Sequence, residues 1–162
     1  MKLNLYSVEL DLDKHPMMVV EDSFECKKSK LYDAKSIVKV LNQFIRLDRK
    51  AEEHVYMLSL SSSCQSLGLF EISHGCIDQS PLNIREIFLR ALISGAAGIV
   101  ILHNHPSSAI KASEMDHLAC MSIAKAGKLM GIRLWDFIIV GDGYYSFADN
   151  EEYAISVSFS DL

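Results

Sequence analysis

The sequence predicts an α/β domain in three layers, a mixed β-sheet with helices on both sides. Apolar runs of strand length interleave with segments of helical period along the chain. At 162 residues it suits one core rather than two. A chain of that size buries roughly 70% of its unfolded surface, enough for a core without staples. The mix of 49% hydrophobic and 23% charged residues is ordinary for a globular protein.

The elements follow in order. Residues 3–10 (Leu-Asn-Leu-Tyr-Ser-Val-Glu-Leu) alternate apolar and polar, the period of a half-buried strand. Met17 to Val20 suggest a short second strand. Asp33 is placed to cap a helix running to about residue 47, with Ile37, Val40, Leu41, Phe44 and Ile45 on one face. Residues 53–61 and 67–74 read as a hairpin across a Ser-rich turn. Asn83 and Glu86 have capping-box spacing and open a second helix that Gly95 stops. Residues 97–102 (Ala-Gly-Ile-Val-Ile-Leu) suit a fully buried central strand. A third helix fits residues 113–130. Leu134 to Val140 make another apolar strand, and Gly141-Asp142-Gly143 turns into a last one, Tyr144 to Phe147.

Bulk properties narrow the function. Net charge is −5, split as +2 over residues 1–50 and −7 over residues 51–162. Nucleic-acid binding rests on a basic footprint. The sole basic cluster, Lys27, Lys28 and Lys30, is too small to be more than a solvated turn. The four cysteines (Cys26, Cys64, Cys76, Cys120) form no C-x-x-C pair, so reduced thiols in a cytoplasmic protein are expected. No apolar stretch reaches the roughly 18 residues of a membrane span. Met1 to Asp13 are too acidic for a signal peptide.

The chemistry concentrates in residues 101–116, which read H-x-H, seven residues, then S-x-x-D. His103 and His105 end the predicted central strand. Positions i and i+2 of a strand share a face, so both imidazoles can reach one ion. Pro106 cannot extend a central ladder, and the chain leaves the sheet there. Ser113 then opens a helix, and Asp116 sits one turn in on the same side. Two imidazoles and a carboxylate form the ligand set of a catalytic zinc site whose fourth position takes water. Ser113 adds a hydroxyl able to polarise a substrate, although Ser113 and Asp116 also have helix-capping spacing. Such a site needs a carboxylate outside the ligand set to move protons. Glu53, heading the strand at residues 53–61, is the leading candidate, with Glu52, Glu71, Glu86 and Glu114 as rivals. His15, His54, His74 and His117 have no comparable setting and read as packing or surface residues.

The string H-x-H-x7-S-x-x-D resembles the signature of the JAB/MPN (JAMM) metalloproteases, and most closely the bacterial RadC-like branch. Other blocks are similar to that branch too: Glu53-His54-Val55, Pro81 to Leu92, Ala96 to Ser107, and Ala126 to Phe147. The resemblance covers about residues 35–149. It implies a JAB fold with a curved mixed sheet, and one zinc ion held by His103, His105 and Asp116. It also implies that Glu53 is the acid/base and that Ser113 helps stabilise an oxyanion. The implied reaction is hydrolysis of an amide, often an isopeptide bond to a ubiquitin-like tail, so a protein or peptide is the expected substrate. One stretch departs from the branch. Where those chains read His-Pro-Ser-Gly-Asp, Ser108 and Ala109 replace the Gly-Asp pair, and Ile110-Lys111-Ala112 replaces a Pro-rich stretch.

The expected organisation is a strand-rich extension (1–34), a JAB domain (35–149) and a C-terminal tail (150–162). The opening 50 residues read as too short and strand-like for the helix-hairpin-helix that longer RadC-like chains carry, and the chain resembles the short form often found in prophages and mobile elements. A binding module on the same fold, without peptidase activity, is the main alternative function. A DNA-repair-associated factor is a weaker one, given the acidic motif-bearing half.

Overall fold

Residues 98–104, Gly-Ile-Val-Ile-Leu-His-Asn, are buried at every position. A segment apolar on both faces must lie in the middle of a sheet with layers above and below. A computed structural model, describing residues 2–26, 31, 33–75 and 82–150, places it there. Among the described residues one mixed sheet has seven strands. They are β1 (Lys2–Leu10), β2 (Pro16–Glu25), β3 (His54–Leu60), β4 (Ser66–His74), β5 (Gly98–Asn104), β6 (Arg133–Gly141) and β7 (Gly143–Ser146). Their order is β2-β1-β4-β3-β5-β6-β7. Three α-helices accompany them: α1 (Ala34–Ile45), α2 (Ile84–Ile93) and α3 (Glu114–Met130). The fold is α+β, consistent with a JAB-like domain.

Period-two alternation splits the apolar side chains between two cores. Tyr56, Leu58, Leu60, Val100 and Leu102 face one way, where Ile37, Val40 and Leu41 of α1 cover them. Val55, Met57, Ile99, Ile101 and Ile139 face the other way, under Ile87 and Phe88 of α2 and Ile123 of α3. The helices therefore form the expected outer layers. Asp33 caps α1, its carboxylate accepting from the Ser36 amide at 2.7 Å.

Strand pairing fixes the site. β3 runs antiparallel to both β4 and β5, with Val55 opposite His103. β5 and β6 are parallel and joined through α3, the connection that parallel pairing requires. α3 ends in a Schellman turn, with Gly131 at φ 68° and the Ile132 amide donating to the Gly127 carbonyl at 2.8 Å.

Two elements differ from the sequence reading. β2 runs from Pro16 to Glu25, well beyond Met17 to Val20, because all of it pairs with β1. The hairpin these strands form joins the sheet through two parallel pairs, Leu5 with Leu69 and Tyr6 with Phe70. Asn83 precedes α2 but makes no side-chain cap. Glu86 instead pairs with Arg85 at 2.9 Å and Arg90 at 2.8 Å, a charge contact that outcompetes reaching back to the chain. The basic cluster at Lys27, Lys28 and Lys30, together with Cys76, Pro81 and residues 151–162 of the tail, lies outside the described residues.

Candidate metal centre

β5 ends where the backbone of His105 still donates to the Val140 carbonyl of β6 at 2.9 Å. The carboxyl ends of parallel strands are where ligands collect in open sheets. His103 and His105 emerge there on one face, their rings 4.8 Å apart and nearly perpendicular. The loop after Pro106 brings the N-terminus of α3 back over them. Asp116 is buried at 4% exposure beneath that turn.

One ligand atom each from His103, His105 and Asp116 lies within 4.8 Å of the others. His103 Nδ1 is 3.0 Å from Asp116 Oδ1, and His105 Nε2 is 3.5 Å from Asp116 Oδ2. Tetrahedral bonds of about 2.0–2.1 Å set ligand atoms about 3.4 Å apart, so these separations suit a zinc-sized ion. The ring of His105 is oriented from behind by the Ala109 carbonyl, 3.0 Å from Nδ1. That contact leaves Nε2 as the ligand atom, the usual arrangement around a metal-bound histidine. His103 Nε2 is buried and makes no hydrogen bond among the described residues. That edge of the ring faces Glu53, and Nδ1 is the edge that faces Asp116. The residues fit the ion.

The electrostatics agree. Burial on its own would raise the pKa of Asp116, but hydrogen bonds with His103, His105 and Ser113 outweigh it and hold the carboxyl well below the usual range. The same carboxylate raises the pKa of His105, against the opposing pull of burial. A carboxylate with its pKa lowered, beside two imidazoles, attracts a cation.

Glu53 stands just before β3, half-buried, with Oε2 3.7 Å from His103 Nε2. It meets the His103 ring at the edge opposite Asp116. The rival glutamates are elsewhere. Glu52 and Glu114 are exposed. Glu86 is engaged by its arginines. Glu71 binds His54 Nδ1 at 2.7 Å, beside Tyr56, a residue of the core under α1. Ser113 caps α3. Its Oγ donates to Asp116 Oδ2 at 2.6 Å and accepts from the Asp116 amide, while the Ser113 amide donates back to Oδ2 at 2.8 Å. The capping box thus forms here and also aims the third ligand. His74 lies 3.6 Å from Glu71, and His117 packs edge-on against Phe147. A second group, Asp11, Asp13 and His15, lies in the exposed β1–β2 turn, where Asp11 Oδ1 accepts the amides of Asp13 and His15. Asn104, which strand alternation turns away from both histidines, sits between them and is 2% exposed. An asparagine in a fully buried strand must find partners, and that was the available signal.

Residues 31–153 match the profile of the RadC-like JAB domain. The chain belongs to this family. Relatives within it carry the name UPF0758 protein. The one from Porphyromonas gingivalis is 30% identical over 125 residues, covering 76% of this chain and 54% of its own length. That from Rubrobacter xylanophilus is 35% identical over 104 residues, covering 64% and 44%. That from Methanosarcina acetivorans is 30% identical over 134 residues, covering 83% and 58%. The chain spans about half the length of these RadC-like relatives, and their names carry no activity. Among the described residues no helix is long and apolar enough to cross a membrane.

Proposed function

We propose that this RadC-like JAB domain is a zinc-dependent hydrolase of amide bonds, peptide or isopeptide, acting on a protein or peptide in the cytoplasm. One observation carries the reading: His103, His105 and Asp116 converge on a common point with Glu53 facing it. A zinc ion held by those three residues supplies Lewis acidity and makes water acidic near neutral pH. Glu53 accepts the proton from the attacking water at its carboxylate and returns it to the leaving amine. The Ser113 hydroxyl, turned from Asp116 toward the substrate, donates to the developing oxyanion. His105, held by the Ala109 carbonyl, and Asp116, held by the Ser113 amide, keep the cradle rigid. Cys64 and Cys120 are unpaired thiols, in keeping with a reducing compartment.

The test is elemental analysis joined to cleavage assays on internally quenched peptides and a lysine-isopeptide conjugate. The expected result is one zinc per chain, and cleavage that Glu53→Gln abolishes with zinc retained. Zinc binding unaffected by His103→Ala, or cleavage surviving in Glu53→Gln, would overturn the reading.

A further inference from the structure

We infer that Asn104 is a positioning residue: its buried amide ties the strand carrying both histidines to the backbone on either side of Glu53. The inference rests on the hydrolase reading above and names what sets the distance between its acid/base and its metal. Glu53 lies outside the ladder, because β3 begins at His54 and its pairing with β5 starts at Val55 opposite His103. Beyond that pair the Asn104 side chain takes over. Its Oδ1 accepts from the His54 amide at 2.7 Å, and its Nδ2 donates to the Glu52 carbonyl at 3.1 Å. The two bonds bracket Glu53. A third contact, from the Gly75 amide to the Glu53 carbonyl at 2.9 Å, is pure backbone. Asn104 is therefore the side chain through which β5 grips this segment, and it is flanked by the ligands His103 and His105.

The geometry separates two functions on adjacent residues. Side chains at 103 and 105 point to the cation, and the one between them points to the loop that presents the base. An amide suits the task, since it offers an acceptor and a donor at once to one N–H and one C=O. An ionised carboxylate lacks the donor, a hydroxyl offers one atom where two separated ones are needed, and an apolar group offers neither. A displacement of about 1 Å in a reacting group costs up to about 100-fold in rate, so the grip matters for chemistry beyond folding.

The test uses the full chain labelled with 13C at glutamate carboxyls and loaded with Co(II). The Glu53 carboxyl signal is identified by its loss in Glu53→Gln, and its paramagnetic relaxation reports its distance from the ion. In Asn104→Ala we expect one Co(II) per chain, affinity within about tenfold of wild type, and a relaxation enhancement of Glu53 reduced at least twofold. Amide exchange at His54 should accelerate while exchange at Leu58 does not. Should Asn104→Ala fail to fold, Asn104→Asp keeps the shape and the acceptor and should show the same loss in part. Unchanged relaxation of Glu53 in a folded Asn104 variant overturns the inference. So does cobalt affinity falling as far as in His103→Ala, which would make Asn104 a support of the ligands. A wild-type chain that takes up no cobalt sinks the hydrolase reading itself, and that is visible before any Asn104 variant is made.

Discussion

The carbonyl oxygen of Ala109 lies 3.0 Å from Nδ1 of His105. A loop that departs from the family's usual sequence still supplies the contact that orients a ligand. The acceptor is backbone, so Ala109 serves as well as another residue, provided the loop keeps its path.

That path predicts a stabilising substitution. Ser108 has φ 61°, in the left-handed region that favours glycine. Its amide donates to the His105 carbonyl at 2.9 Å and its own carbonyl accepts from the Asp142 amide at 2.9 Å. Both bonds are backbone and survive side-chain removal. Ser108→Gly should raise the unfolding free energy by about 1 kcal/mol and leave zinc affinity unchanged, as denaturant melts and zinc titration will show.

Metal binding should register as stability. A ligand at 100 times its Kd stabilises the native state by about 2.7 kcal/mol. Zinc should raise the Tm of the wild type and do nothing for His103→Ala or His105→Ala. Equal shifts in all three proteins would mean that the ion binds elsewhere.

Ser113 couples the helix to the ligand. Ser113→Ala removes both hydroxyl bonds to Asp116 and should lower metal-free stability by about 1 kcal/mol. Ser113→Gly should cost only a few tenths of that as a cap. Both should weaken zinc binding, by about 10-fold or more, because the carboxylate loses its support. Calorimetry on the three proteins separates the capping contribution from the metal contribution.

Asp136 sets an opposite pH dependence from Asp116. Burial raises its pKa, only partly offset by hydrogen bonds from Ser146 Oγ at 2.6 Å and the Ala148 amide at 3.0 Å. The folded chain therefore holds this proton more tightly than the unfolded one, and stability falls as pH rises through the folded pKa. In the metal-free protein Asp116, with its pKa lowered, contributes stability that is present above about pH 4 and lost as pH falls further. Replacing Asp136 with Asn should raise stability most at pH 7, and the gain should shrink toward pH 4. A gain that is flat with pH would show that Asp136 does not titrate in this range.

Gly127 tests a close approach. A Cβ there would sit 2.3 Å from the Ile132 carbonyl oxygen, a backbone atom that cannot swing away. Gly127→Ala gains about 1 kcal/mol in helix propensity. Overpacking of this kind costs about 1–3 kcal/mol, so the variant should be no more stable than wild type and is expected to melt lower.

Much of this was legible in the sequence because it depends on neighbours along the chain. His103 and His105 share a face by strand alternation alone, and Ser113 with Asp116 winds a helix start whatever surrounds it. The choice of Glu53 was different. Glu53 led from its place at a strand start but kept four rivals, because the answer depends on which strands pair. Pairing sets Glu71 opposite Tyr56, whose side chain lies in the core under α1, away from Val55 and His103. The capping spacing at Asn83 and Glu86 misled for the opposite reason: Arg90 on the next turn offered the carboxylate a charged partner. Alternation alone turns Asn104 away from the histidines, but its task depends on partners about fifty positions away in the chain.

The narrow seam between β1 and β4 has a mechanical consequence. Two ladder pairs, the Tyr6–Phe70 and Phe24–Phe44 stacks and buried Leu3 fasten the outer hairpin, and two whole strands, β4 and β3, stand between it and β5. Remodelling the hairpin, lengthening its tip or grafting an appendage onto it transmits little force to the cation cradle. The margin of the sheet can thus acquire new attachments while the reactive end keeps its shape.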